Sequence, residues 1–185
     1  IEHGLADLRE RFPALVLDLV LANAVVDLGR GGADLALRLM RPADPELVGR
    51  KVGDMAFGLY AAVGRARSGS GEPVASTNVV RASGPLANSA EARWLSGRAW
   101  ARPVLQSDSL GALRAGIAAG VGWGVLPRPI GDADERLVLV APLPESATRP
   151  VWLVAHRDAL ARAAVRAAMD HLMAVVRRMV RDRGR

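Results

Sequence analysis

The residues best placed to do chemistry in this chain are hydroxyls, one acid and one arginine. Ser107, Asp108 and Ser109 stand together ahead of a run of small apolar residues, in the stretch LQSDSLGALRAGIAAGVGWGVLP. Serines in that position cap a helix. A capped helix N-terminus presents unpaired N–H groups and the positive end of the dipole, a seat for a carboxylate or sulfate on a small molecule. The same serines serve equally as caps alone, worth about 1 kcal/mol each. Asp108 would repel an anion if it pointed inward. Arg38, followed by Leu39 and Met40, closes another apolar run. Its guanidinium can grip a carboxylate through two parallel hydrogen bonds, or pair with Asp34 or Asp44 at the surface. Ser83 and Gly84 follow Val79 and Val80 in the same way, as ligand contacts or as a plain turn.

Catalytic and metal chemistry find little footing. The chain has no cysteine, which removes disulfides, thiolate nucleophiles and cysteine-ligated metals, and fits a reducing compartment. His3, His156 and His171 are the only histidines, with no pair at metal-ligand spacing, so neither zinc nor a histidine-based triad is expected. GVGWG has the letters of a dinucleotide fingerprint, but here the helix precedes the glycines and a strand follows, the reverse of what that fingerprint needs. No enzyme and no cofactor is expected. Trp94, Trp100, Trp123 and Trp152 suit either stacking on an aromatic effector or filling cores.

The formal net charge of +6 raises the question of nucleic acid, but the distribution answers against it. Lys51 is the only lysine and most arginines are scattered among acids and apolar residues. The densest cluster, Arg177, Arg178, Arg181, Arg183 and Arg185, reads as a solvated helix end, where positive charge suits the negative pole of the dipole. The longest apolar run, residues 14–26, is interrupted by Asp18 and Asn23 and falls short of the roughly 20 residues that cross a bilayer, so no membrane partner is expected. The chain opens without Met or a leader and reads as a processed product or an excised fragment.

Helices and strands must position these groups. Ile1, Leu5, Leu8 and Phe12 recur at helical spacing, and Pro13 stops the run. Residues 14–21 read as a buried strand of the parallel kind, 24–28 as a short helix ended by Gly31 and Gly32, and 33–39 as a second buried strand, giving β-α-β order. Residues 41–46 are loop, and 52–62 extended chain with bends at Gly53 and Gly58. The polar stretch RARSGSGEP, residues 65–73, is an exposed loop at which the organisation resets. Strands follow at 74–81, 101–106, 121–126, 136–142 and 150–156, with helices at 88–95 and from Ser109 to a C-cap at Gly120. Alternation places Val121, Trp123 and Val125 on one face and leaves Gly122 and Gly124 opposite, where something must approach the backbone closely. Residues 159–181 form a long closing helix with Ala163, Ala167 or Ala168, Leu172, Val175 and Met179 inward. Strands alternating with helices imply an α/β fold. The two resets imply two lobes, residues 1–58 with 143–185 and residues 59–142, joined by two crossing segments as a hinged clamshell.

Three phrases then become recognisable: RFPALVLDLVLANAVVDLGRGGADLALRL (11–39), SDSLGALRAGIAAGVGWGVLP (107–127) and VWLVAHRDALARAAVRAAMDHL (151–172). In order and spacing they resemble the effector-binding (substrate-binding) domain of LysR-type transcriptional regulators. The resemblance implies a type 2 periplasmic-binding-protein-like fold, two Rossmann-like lobes with a small-molecule inducer in the cleft between them. It puts Ser107, Asp108 and Ser109 at the cleft-facing start of a second-lobe helix; Arg38, Leu39 and Met40, and likewise Ser83 and Gly84, follow their strands at the carboxyl ends, where ligands bind in open α/β sheets. Leu126 and Pro127 fall on the hinge side. It further implies a cytoplasmic bacterial regulator, a homodimer or tetramer, with a small effector, for which an anion is one candidate. DNA would be contacted only through an N-terminal winged helix-turn-helix domain not found in these residues. The family's first effector-domain strand, with the hydroxyl-bearing turn after it, is also not found here, so the first lobe is expected to be one strand short. The alternative on the same fold is a periplasmic solute-binding protein of a transporter. A deaminase with a cysteine-linked cofactor is ruled out by the missing cysteine.

Overall fold

The structure, a computed structural model, describes residues 2–22, 26–29, 31–66 and 76–181. The chain divides into two compact units, one of Ile1–Asp54 with Arg149–Arg183, the other of Met55–Thr148. The fold is mixed α/β with two sheets.

In the first unit, α1 (Glu2–Arg11) packs on α6 (Ala163–Arg181), and β1 (Leu35–Arg38), β8 (Arg149–His156) and β2 (Leu47–Met55) form a sheet in the order β1-β8-β2. β1 runs antiparallel to β8, Leu35 opposite Ala155 and Arg38 opposite Trp152. Leu8, Val151, Leu153, Val154, Met169 and Val176 are buried. Two glycines let α6 come close: a Cβ on Gly4 would lie 2.5 Å from Val175, and one on Gly53 would lie 2.6 Å from Val180. Gly53 therefore sits inside β2 as a contact point for α6 and not at a bend. The chain breaks instead at Ala56, between β2 and β3.

Here the structure corrects several expectations. Residues 14–21 join no sheet, and Val16 and Leu21 are 90% and 96% exposed. Apolarity announces that a segment wants burial, but a strand also needs partners for its N–H and C=O groups. This one leaves α1 through a turn, Leu15 N–H to Phe12 C=O, with the Arg9 guanidinium donating to the carbonyls of Pro13 and Leu15 at 2.7 and 2.6 Å. The expected helix at 24–28 lies partly outside the described residues, and its described part is not helical. β1 is four residues long, at a sheet edge and half-buried, so the β-α-β order expected for this part of the chain is not formed. The inward face of α6 is also rotated. Val165, Ala168, Met169, Met173 and Val176 are buried, while Ala163 is exposed.

The second unit holds a five-stranded sheet in the order β5-β4-β6-β3-β7. Its strands are β3 (Phe57–Ala62), β4 (Thr77–Ala82), β5 (Ala101–Ser107), β6 (Trp123–Pro127) and β7 (Leu137–Pro142). The helices are α2 (Val63–Ala66), α3 (Ala90–Ser96), α4 (Leu110–Ala118) and α5 (Arg128–Gly131). β4 pairs in parallel with both β5 and β6, whereas β3 pairs antiparallel with β6 and β7. Alternate residues feed opposite faces. Tyr60, Val80, Leu113, Ile117 and Leu126 pack together under α4, while Leu59, Val79 and Leu95 pack with Trp94, Trp100 and Trp123 on the α3 side. Each fully buried aliphatic side chain contributes about 1.5–3 kcal/mol. The three tryptophans are thus partly buried against this core, and Arg98 lies over the Trp94 ring at 4.2 Å. In the expected loop at 65–73, residues 65 and 66 end α2 and the remainder lies outside the described residues.

The alternation holds within β6, where Trp123 and Val125 face one side and Gly124 the other, whereas Val121, 39% exposed, and Gly122 fall before the strand; the structure also shows what approaches the two glycines. A Cβ on Gly124 would stand 2.5 Å from Ile117 and 2.9 Å from the Val80 carbonyl; one on Gly122 would stand 2.7 Å from the Asn78 carbonyl. The visitors are the chain's own helix and neighbouring strand. Gly58, expected at a bend, is likewise an in-strand close approach, beside Leu139, Tyr60 and Arg128. Gly124→Ala should lower the unfolding free energy by about 1–3 kcal/mol through overpacking, measured by urea denaturation. Gly111→Ala, on the exposed side of α4, should be neutral or stabilising by up to about 1 kcal/mol in the same measurement.

Candidate functional site

In the second unit the chain leaves β4 toward α3 on one face of the sheet and leaves β5 toward α4 on the other. Adjacent parallel strands whose exits diverge in this way open a crevice beyond their carboxyl ends, the usual ligand position in open α/β sheets. Ser83 and Gly84 follow β4; Ser107 ends β5, and Asp108 and Ser109 follow it. The register sets Ala82 opposite Ser107, and the Ser83 N–H donates to the Ser107 carbonyl at 2.9 Å. Gly84 has φ +54°, a left-handed conformation that glycine adopts without strain, and a Cβ there would be 3.4 Å from the Asp108 Cβ. Five of the residues singled out from sequence therefore form one constellation.

Its hydrogen bonds define what it can offer. Ser109 is the N-cap of α4: its Oγ accepts from the Ala112 N–H at 3.4 Å, and its carbonyl accepts from Leu113 at 2.9 Å. The Ser107 Oγ accepts from the Ser109 N–H at 3.1 Å. Each hydroxyl has thus taken up a backbone donor and keeps its own proton to give. The N–H groups of Leu110 and Gly111 stand at the first turn, ahead of the intrahelical ladder. The Ser83 hydroxyl makes no capping bond to the turn of 3-10 helix, Gly84–Asn88, that follows it.

The remaining sequence candidates lie elsewhere. Leu126 is fully buried, pairs with Gly58 and packs beneath α4, and the buried Pro127 pairs with Phe57 at the end of β6. Arg38, Leu39 and Met40 are in the other unit. Arg38 donates to the Val26 carbonyl at 2.6 Å, and the Leu39 carbonyl accepts from Arg149 at 3.2 Å. The surface pairing foreseen for Arg38 does not form: Asp34 pairs with Arg162, and the Asp44 carboxylate accepts from the Glu46 N–H. Beside that Asp34–Arg162 pair, a cavity of about 270 Å³ opens between Leu28, Gly29, His156 and Asp158.

Two side-chain clusters, not singled out from the sequence, tie elements of the second unit together. The buried Tyr60 hydroxyl donates to Asp132 at 2.5 Å, and Asp132 accepts from Arg128 at 2.9 Å, tying α5 to β3 directly after Pro127. Burial, then the bond to Asp132, pushes the Tyr60 phenol well above its ordinary range. Asp134 accepts from Arg136 at 2.8 and 2.7 Å and faces Arg114 of α4 at 3.8 Å. The Arg136 hydrogen bond holds the Asp134 carboxyl down at about 2 against an ordinary 3.8. The i, i+4 spacing of Arg128 and Asp132 was a usable signal; nothing in the letters joined either to Tyr60. Because the folded carboxyl is the stronger acid, its contribution is present above about pH 4 and is lost as pH falls toward 2. Asp134→Asn should therefore cost about 1 kcal/mol at neutral pH in chemical denaturation, with the difference from the unaltered chain closing between pH 4 and pH 2.

Comparison with known proteins gives the following matches. The family model for the LysR substrate binding domain matches residues 3–177. The regulatory domain of CrgA, a LysR-type transcriptional regulator from Neisseria meningitidis, is similar at 21% identity, covering 94% of this chain and 90% of that one, with a TM-score of 0.72. The CcmR regulatory domain from Synechocystis PCC6803, solved in complex with 2-PG, is similar at 16% identity over 94% and 89%, with a TM-score of 0.69. Full-length AphB from Vibrio cholerae is similar at 18% identity and a TM-score of 0.68; 95% of this chain is covered but 63% of that one. At these identities the likeness to solved structures establishes the fold. No curated protein matches the chain.

Proposed function

This chain belongs to the LysR substrate-binding domain family, an effector-sensing module of transcriptional regulators, and from that premise we propose that its small-molecule effector meets the chain at the ends of β4 and β5. The observation that carries this reading is the convergence of Ser83, Gly84, Ser107, Asp108 and Ser109 at the point where the two strand exits diverge, over the first turn of α4. Hydroxyl protons and first-turn N–H groups make that point a hydrogen-bond donor surface. Arg38, Leu39 and Met40, at the end of β1, are proposed as ligand contacts of the first unit.

Sensing requires the effector to bind two arrangements of the regulator with different affinity, since a ligand with equal affinity for both shifts nothing. We place that regulator in the cytoplasm as a homodimer or tetramer, with DNA contacted by a part of it outside these residues. The transporter alternative is not favoured, because the family match is to the regulator domain.

A metabolite panel screened by thermal shift supplies an effector for the test. Ser107→Ala should then weaken binding about 3- to 10-fold in calorimetry while costing no more than about 1 kcal/mol of stability. Unchanged affinity would return Ser107 to bracing the α4 cap. Used alone, the chain should give no sequence-specific shift of duplex DNA at physiological salt, and a specific shift would overturn the division of labour.

A further inference from the structure

The first unit has a binding place of its own, at the end of its sheet away from Arg38, Leu39 and Met40. β1 enters the sheet at Leu35 and β8 leaves it at His156, and their antiparallel register brings these two ends together. The cavity of about 270 Å³ beside the Asp34–Arg162 pair lies there. We infer that it is a second small-molecule site, separate from the strand ends of the second unit, and that it takes a free amino acid with a short apolar side chain.

The polar lining comes as two pairs of opposite character. Arg162 donates to Asp34 through one guanidinium nitrogen, which leaves further N–H groups on the arginine and lone pairs on the carboxylate available. The Nδ1 of His156 accepts the Asp158 N–H at 3.3 Å and lies 3.7 Å from the Asp158 carboxylate, so the neutral ring carries its proton on Nε2. A lone anion drawn to Arg162 and the imidazole meets Asp34 and Asp158 beside them. A lone cation drawn to the carboxylates meets Arg162. A zwitterion gives a carboxylate to the first two and an ammonium to the second two, so each group of the lining finds its complement.

Depth and shape agree with that guest. Asp34 and Arg162 are more than half exposed and stand at the mouth, where a charged headgroup keeps part of its water. His156, with a side chain 18% exposed, and the buried Leu28 lie further in, and Ala159 adds apolar lining for a side chain. The volume is just below the roughly 300–1,000 Å³ of sites for drug-sized ligands, which suits a smaller molecule. Gly29 keeps the space open: a Cβ there would point at the imidazole, 3.8 Å from Cδ2 and 4.0 Å from Nε2, and its backbone is not left-handed.

L-Valine, isobutylamine and isovalerate share a branched carbon chain and carry both charged groups, the ammonium alone and the carboxylate alone. NMR titration of this chain would follow the amides of Gly29, Gly31, Asp34 and Asp158 and the His156 ring. Valine should shift these resonances saturably, at least tenfold more tightly than either single-charge probe, and leave the amides of residues 107–112 in place. Gly29→Leu, which fills the cavity, should abolish the shifts. Asp158→Asn removes a carboxylate and keeps the backbone N–H on His156; it should weaken valine about tenfold and leave isovalerate no weaker. A single-charge probe binding as tightly as valine, or valine unaffected by Asp158→Asn, would overturn the amino-acid class. No saturable shift at the cavity from any of the three, or full valine affinity in a folded Gly29→Leu, would overturn the site. Melting temperatures separate these effects from damage to the fold, and if Gly29→Leu fails to fold, Asp158→Asn decides. None of these results bears on the strand ends of β4 and β5.

Discussion

The second unit depends on how closely α4 can lie on its sheet. Ile117 reaches the backbone of β6 because Gly124 has no side chain to hold it off, and the chain entering β6 reaches β4 because Gly122 has none either. Close packing of this kind gains dispersion contacts on every side and leaves no room for an added methyl group. It also fixes where the helix begins. With Leu113 and Ile117 seated against Tyr60, Val80 and Leu126, the first turn of α4 is carried to the end of β5, and Ser109 meets the backbone it caps. The chemistry at the strand ends is therefore a consequence of packing one and two helical turns away.

That part of the molecule was legible in the letters because each signal was local. A serine before a small apolar run, a glycine at its end and alternating glycines in the next strand act within a few residues, and the structure has Ser109 capping, Gly120 at φ +73° and the glycine face closed by a neighbour. What approached the glycines was not legible, since a vacant face looks the same whether a ligand or an isoleucine fills it. The ion clusters escaped for a related reason. Tyr60 and Asp132 are 72 residues apart, and only the antiparallel pairing of β3 with its neighbours brings them together.

The first unit was harder to read because its signals needed partners. Residues 14–21 carry the composition of a buried strand, yet hydrogen bonding to the Arg9 side chain and the turn at Phe12 holds their start at the end of α1. β1 lies at the sheet edge beside β8, where composition alone suggested a parallel interior position. In α6 the error was one of phase: the apolar stripe is wide, and the residues that win burial are Val165, Ala168, Met169, Met173 and Val176. Helical period specifies that a stripe exists more reliably than which of its margins is covered.

The bond between the Ser83 amide and the Ser107 carbonyl has a mechanical implication. Because one exit loop is stitched to the other at their first residues, moving either one alone breaks this bond, at a cost of about 1 kcal/mol, so the two termini are tethered to each other.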